Sequence, residues 1–182
     1  MSAIQDWGSE PDERALAYPC DRFLPDPHVD LFRAVTVRAS KEVVFRWLCQ
    51  MRAAPYSYDW LDNFGFRSPQ EWTPGLERLE SGQTVMRIFD LVDFERDRQM
   101  TIRFKTRPAI FGLLGSSAAT YLILERTTGE CRMVVKLRLR YPRGPIGWLM
   151  RAFLPLADLI MMRRQLLNFK ALAEAGPAAL PC

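Results

Sequence analysis

The sequence holds one histidine in 182 residues, His28. Histidine is the usual general base near neutral pH and a common metal ligand. Ser–His and Cys–His nucleophile systems and His-rich metal sites therefore have almost no material here. His28 stands in "LPDPHVD", a loop context whose default is a solvated side chain. Cysteine is also sparse: Cys20, Cys49, Cys131 and Cys182 lie far apart with no C-x-x-C pair. That spacing argues against a zinc ribbon or a redox dithiol. Two disulfides can be drawn among four cysteines, but nothing favours them. The opening "MSAIQDWGSEPDER" lacks the apolar stretch of a secretory signal, so a cytoplasmic location is expected. No repeat or low-complexity tract occurs, and no metal or cofactor is expected.

What is present is ordinary globular material. Hydrophobic residues make up 48% and charged residues 25%, which suits one domain with a sizeable core. The net charge is +4. Its basic residues are spread along the chain, often beside acids, whereas a nucleic-acid binder gathers them on one face. No nucleic-acid partner is expected. The richest basic cluster is "KLRLRYPRG", residues 136–144.

Periodicity divides the chain. Residues 1–29 are proline-broken and acidic, and read as an irregular arm packing on the body. Residues 31–40 alternate as a strand. "SKEVVFRWLCQM" then repeats its apolar residues at helical spacing behind Ser40, until Pro55 stops the helix. "YSYDWLDNFG" predicts a second short helix, with Ser57 as N-cap and Gly65 as stop. Period two returns in residues 84–94, 99–107, 118–126 and 131–141, with "TTGE" as a hairpin turn. In the last strand Met133, Val135, Leu137 and Leu139 face one way, and Arg132, Lys136, Arg138 and Arg140 the other. The basic cluster is thus expected to be the wet side of a one-sided antiparallel sheet. Residues 145–175 predict a long, largely apolar helix, kinked at Pro155. It reads as too short and too charged to cross a bilayer. Residues 177–182 are a frayed tail.

A helix so apolar needs cover, and the curved face of the sheet is the candidate. The expected architecture is α+β: a helix-grip fold, with an antiparallel sheet wrapped around the C-terminal helix and two short helices after the first strand. One domain over residues 30–176 follows. The pattern "RAVTVRASKEVVFRWLCQM…PYSYDWLDN…GLERLESGQ…FDLVDFE…ATYLILE…CRMVVKLRL" resembles the START-like (Bet v-type, SRPBCC) superfamily. Within it the pattern looks like a bacterial branch related to polyketide cyclases and dehydrases, over roughly residues 30 to 175. The resemblance implies a cavity for a small hydrophobic molecule. It implies no particular reaction, because members range from enzymes to carriers.

Seven residues stand out as candidate ligand contacts: Tyr56, Tyr58, Trp60, Arg87, Arg103, Tyr121 and Asp158. In "APYSYDWLDNFG", helical spacing puts Tyr56 with Trp60 and Asp59 with Asn63. Tyr58 and Asp59 then diverge, which speaks against a compact catalytic set. The segment reads either as packing, with Trp60, Leu61 and Phe64 in the core, or as a pocket rim. Arg87, Asp90, Arg103 and Tyr121 stand among apolar strand residues, and some of them are expected to enter the hollow. A buried arginine there needs a carboxylate or an acidic ligand group. Asp158 reads as facing the cavity or pairing with an arginine of the helix or the sheet. Met150, Met161 and Met162 suit a pliable wall. Trp72 reads as a lid or as packing, and Glu42 as a helix-start charge.

Three functions follow. The first is binding or transport of a small hydrophobic ligand. The second is an enzyme of the polyketide cyclase/dehydratase type acting on an aromatic or ketone-bearing substrate. The third is transient membrane contact through the apolar loop "AIFGLLG", residues 109–115, which reads equally as a loop buried under the C-terminal helix.

Overall fold

The structure is a computed structural model that describes residues 2–63, 65–105 and 115–176. In chain order its elements are β1 (Asp6–Trp7), α1 (Pro11–Arg14), α2 (Cys20–Phe23), β2 (Val29–Val37) and α3 (Lys41–Cys49). A 3-10 turn (Gln50–Arg52), α4 (Asp59–Asp62), β3 (Thr84–Val85), β4 (Phe89–Glu95), β5 (Gln99–Phe104), β6 (Ser116–Thr127), β7 (Glu130–Arg140) and α5 (Pro145–Glu174) follow. The strands form one curved sheet in the order β1-β2-β7-β6-β5-β4-β3. β1 runs parallel to β2, and the other pairs are antiparallel. Both edges of the sheet are two-residue strands. The expected helix-grip architecture is present.

Alternation places the core. Val35 and Val37 of β2, Met133 and Val135 of β7, Tyr121 and Ile123 of β6, and Met100 and Ile102 of β5 share the inner face. They meet Val44, Trp47 and Leu48 of α3 and Leu166, Phe169 and Ala173 of α5 in one buried cluster. Each large aliphatic side chain buried this way contributes about 1.5–3 kcal/mol. Gly147, in the first turn of α5, is needed for close approach. A Cβ there would overlap the carbonyl oxygen of Pro142.

The outer face corrects the expectation of a wet sheet. Arg132, Lys136 and Arg138 are buried beneath the N-terminal arm. Arg132 makes a two-pronged contact with Glu13, at 2.6 Å from Nε and 2.8 Å from Nη2. Lys136 reaches Asp21 at 2.6 Å, and Arg138 reaches Asp30 at 3.0 Å. Between these pairs Tyr18, Cys20 and Leu24 pack on Phe32, Ala34, Ala118, Leu122 and Val134. The arm is therefore a third layer carrying an edge strand. The alternating cations mark a face closed by acids from far away in the sequence.

Three further expectations change. Residues 84–94 are not one strand: Met86 and Arg87 take positive φ, 46° and 64°, and turn β3 back onto β4. Arg87 therefore sits in a hairpin turn. His28 is exposed but engaged, since Nδ1 accepts the Tyr141 N–H at 2.9 Å and the two rings stack. The long helix runs on through Pro155 for 30 residues, and an 18-residue window of it is apolar enough to cross a bilayer. What ties it to the body is tertiary: its second half buries Leu166, Phe169 and Ala173. Cys20, Cys49 and Cys131 are free and buried, and burial pushes the Cys20 thiol up to about 11 and the Cys49 thiol to about 12. Cys182 and residues 106–114 lie outside the described residues, and so does the loop reading of residues 109–115 apart from Gly115.

Candidate functional site

The segment after Pro55 is shaped by α5. Tyr56 adopts φ 58°, a left-handed conformation that costs an aromatic residue energy. Two side-chain amides of α5 hold it there. Gln165 Nε2 donates to the Pro55 carbonyl at 2.6 Å, and Asn168 Nδ2 donates to the Tyr56 carbonyl at 2.8 Å. The Tyr56 ring then packs against Trp47 and Phe169. Its hydroxyl is buried without a hydrogen-bond partner.

Helix α4 starts one residue later than the sequence suggests: Tyr58, not Ser57, is its N-cap. Asp59 is a structural acid. Its two oxygens accept the Ser68 hydroxyl at 2.6 Å and the Ser68 N–H at 2.9 Å. Trp60 is 73% exposed and Leu61 is exposed too, so the expected packing of these two in the core is not what the fold does. Trp72 packs at the edge of the core, with the Arg46 guanidinium 3.9 Å from its ring centroid.

Between the sheet and α5 lies a cavity of about 860 Å³. Ile102 and Phe104 of β5, Ala119 and Tyr121 of β6, and Leu137 and Leu139 of β7 form one wall. Met150, Leu154, Met161 and Met162 of α5 form the other. The turn Met86–Phe89 with Pro55 and Ser57 lines one end, and Gly115, Ser116, Ser117, Arg140 and Tyr141 line the rest. The three helix methionines thus stand where a pliable wall was expected.

Polar groups gather on the α5 side. Tyr121 donates its hydroxyl to Gln165 Oε1 at 2.7 Å, and burial raises its pKa well above the usual phenol value. Asp158 accepts a 2.9 Å ion-paired hydrogen bond from Arg33 Nη2. Burial pushes the Asp158 carboxyl up to about 6, against the opposing pull of Arg33. Ser57 Oγ, at the wall, is buried with no partner. Among the described residues no cluster of His, Cys, Asp and Glu is placed to hold a metal ion.

The seven candidates therefore separate. Arg87, Tyr121 and Asp158 line the cavity. Tyr56, Tyr58 and Trp60 line a smaller, more polar depression of about 450 Å³, beside Arg164 and Asn168. Arg103 is exposed at the outer face, across from Asp90 on β4 and away from the cavity. Three polar residues of the site were not among the ligand candidates: Arg33, Gln165 and Ser57, the last read only as a helix N-cap. Arg33 had a signal, because it shares its strand face with Leu31, Val35 and Val37. A charge on an apolar strand face implies a buried partner. Gln165 had none, since a lone glutamine on a helix is mute about what it faces.

No protein-family model matches the sequence, and no curated protein matches it. The likeness lies among solved structures. An X-ray structure of a Chromobacterium violaceum protein superposes with a TM-score of 0.50 at 14% identity, over 80% of this chain and 96% of the other. The di-domain ARO/CYC protein StfQ from the steffimycin biosynthetic pathway gives a TM-score of 0.51 at 11% identity, over 85% of this chain and 53% of that two-domain one. This chain shares the Bet v-type helix-grip fold with them, and identities this low extend the likeness no further.

Proposed function

We propose that the protein binds, and in binding can carry, a small hydrophobic molecule in the cavity between the sheet and α5. The observation that carries this reading is the cavity's chemistry. About 860 Å³ is room for a drug-sized ligand, and its long walls are aliphatic, aromatic and thioether. Several polar groups on the α5 side are already bonded: Tyr121 to Gln165, Gln165 to Pro55, Asp158 to Arg33. The long walls are therefore dry, and polar atoms for a ligand come from Ser57 Oγ, buried without a partner, and from Arg87, Ser116, Ser117 and Arg140 at the lining. The ligand class that fits is an apolar body with few hydrogen-bonding groups.

Native mass spectrometry of gently purified protein tests this, together with titration of an apolar fluorescent probe. Ala119→Trp, which fills the cavity, is expected to abolish probe uptake while the protein stays folded. Equal uptake by this variant and the parent, with no co-purifying molecule, sinks the proposal.

One observation favours a second reading, a cyclase- or dehydratase-type enzyme. A carboxyl held near neutrality, Asp158, faces the same apolar space as Tyr121, and such a carboxyl can transfer protons at physiological pH. StfQ, an ARO/CYC protein of the steffimycin biosynthetic pathway, shares the fold. Conversion of a poly-β-ketone that stops in Asp158→Asn, with probe binding intact, is the expected result. No conversion by the parent protein rejects this reading.

A further inference from the structure

The first half of α5 carries apolar residues on two faces. One face lines the cavity. The other holds Ile146, Leu149, Phe153, Leu156 and Ile160, all exposed, with Phe153 at 63%. Their 3-4-3-4 spacing draws one stripe along the helix, roughly 20 Å long at 1.5 Å per residue. Around the first two turns the stripe widens through Ala152 to Trp148, itself 73% exposed. A contiguous apolar surface of this kind marks an interaction site rather than scattered exposed residues.

We infer that this face docks on an anionic lipid surface, with α5 lying in the plane of the headgroups. Charge chooses the occupant. Exposed Arg143 precedes the stripe, and exposed Arg163 and Arg164 flank its end. Between Pro145 and Ala173 the sequence has one acid, Asp158, and it is buried against Arg33. A second copy laid along the stripe would bring arginines against arginines in either direction, with no exposed acid between Pro145 and Ala173 to meet them. Anionic headgroups meet every one of these cations, and a tryptophan beside the apolar stripe suits the headgroup boundary. The helix lies on the bilayer and does not cross it, because its second half is part of the core. Docking of this kind stands whether or not the cavity takes a ligand.

The test is vesicle flotation of the whole protein. The vesicles are phosphatidylcholine alone, or phosphatidylcholine with about a third phosphatidylglycerol. The protein is expected to float with the anionic vesicles, to do so less as salt rises, and to stay behind with the neutral ones. Leu149→Glu with Phe153→Glu is expected to weaken flotation at least about tenfold, while melting temperature and cavity-probe uptake hold. Brominated lipids are expected to quench parent fluorescence more than that of Trp148→Phe. Protein that stays in solution with both vesicle types overturns the inference, and so does flotation indifferent to the two glutamates. A dimer that Phe153→Glu splits, without flotation, overturns it by giving the face to a second copy.

Discussion

Arg33 and Asp158 meet at 2.9 Å across the body of the protein, one from β2 and one from α5, and they depend on the contact unequally. Arg33 also donates to the carbonyls of Ile4, Gln5 and Phe32. Asp158 is held by Arg33.

Removing the two partners therefore has different costs. Arg33→Met strands a carboxylate among apolar groups and is expected to destabilise by about 3–5 kcal/mol at neutral pH. Asp158→Asn leaves the guanidinium its three carbonyls and is expected to change stability far less. Adding Asp158→Leu to Arg33→Met is expected to recover most of the loss. Chemical denaturation of the three variants checks the order. Equal losses in the two single variants would show that the carbonyls do not share the charge.

The same pair sets a pH dependence. Burial raises the Asp158 pKa to about 6 from its ordinary 3.8. The folded state therefore holds the proton more tightly than the unfolded one. Its contribution is fully present below the ordinary value and is lost as pH rises through about 6. Between those values the parent is expected to lose up to about 1.4 kcal/mol per pH unit relative to Asp158→Asn as pH rises. Melting curves of both proteins from acid to neutral pH measure the difference. A flat difference would place the carboxyl in water.

Glu13 behaves oppositely. Burial opposes its ionisation, but the hydrogen bond from Arg132, the Glu10 N–H and the nearby arginine charges prevail, and its pKa is lowered. Its contribution is present above the ordinary glutamate value and lost as pH falls through the lowered one. Glu13→Gln, which leaves Arg132 without its counter-charge, is expected to cost roughly 2 kcal/mol at neutral pH. The arm is expected to be the first part to gain hydrogen exchange. Exchange confined to other elements would contradict this.

Tyr56 carries a buried hydroxyl with no partner. Tyr56→Phe is expected to leave the fold intact and to gain about 1 kcal/mol from the removed desolvation. A loss of that size, seen by denaturation, would mean that the hydroxyl bonds to something within the folded protein.

Gly147→Ala is expected to lower the melting temperature, although alanine favours helix over glycine by about 1 kcal/mol. The new methyl collides with the Pro142 carbonyl. A higher melting temperature would show that the loop before α5 yields freely.

The sheet and the long helix were legible because periodicity survives without knowledge of the partner. Met133, Val135, Leu137 and Leu139 had to share a face, whatever covered it. What covered the opposite face was not legible. Arg132 and Glu13 are separated by 119 residues, and alternation says only that a side is polar, not that water lies on it. The turn at Met86–Arg87 was missed because neither residue is a usual left-handed former, and Ile88 and Phe89 continue the apolar run. For Trp60 and Leu61 hydrophobicity left core packing and a pocket rim both open, because a four-residue helix has too little length to aim them; Phe64 lies outside the described residues. Tyr121 and Asp158 were found because polar groups on apolar elements need a partner. Arg33 obeyed the same rule within the strand read over residues 31–40, but it was not singled out there.

The two-residue edge strands limit how this protein can associate. An exposed strand edge is a row of unpaired backbone donors and acceptors on which another chain can build. Here β1 and β3 each leave such a row only two residues long, too short to register a further strand. They pair with just two residues each of β2 and β4. The long strands β6 and β7 lie inside the sheet. Growth by sheet extension, the route to domain-swapped and fibrillar assemblies, is thereby confined to the short lengths of β2 and β4 that the edge strands leave unpaired.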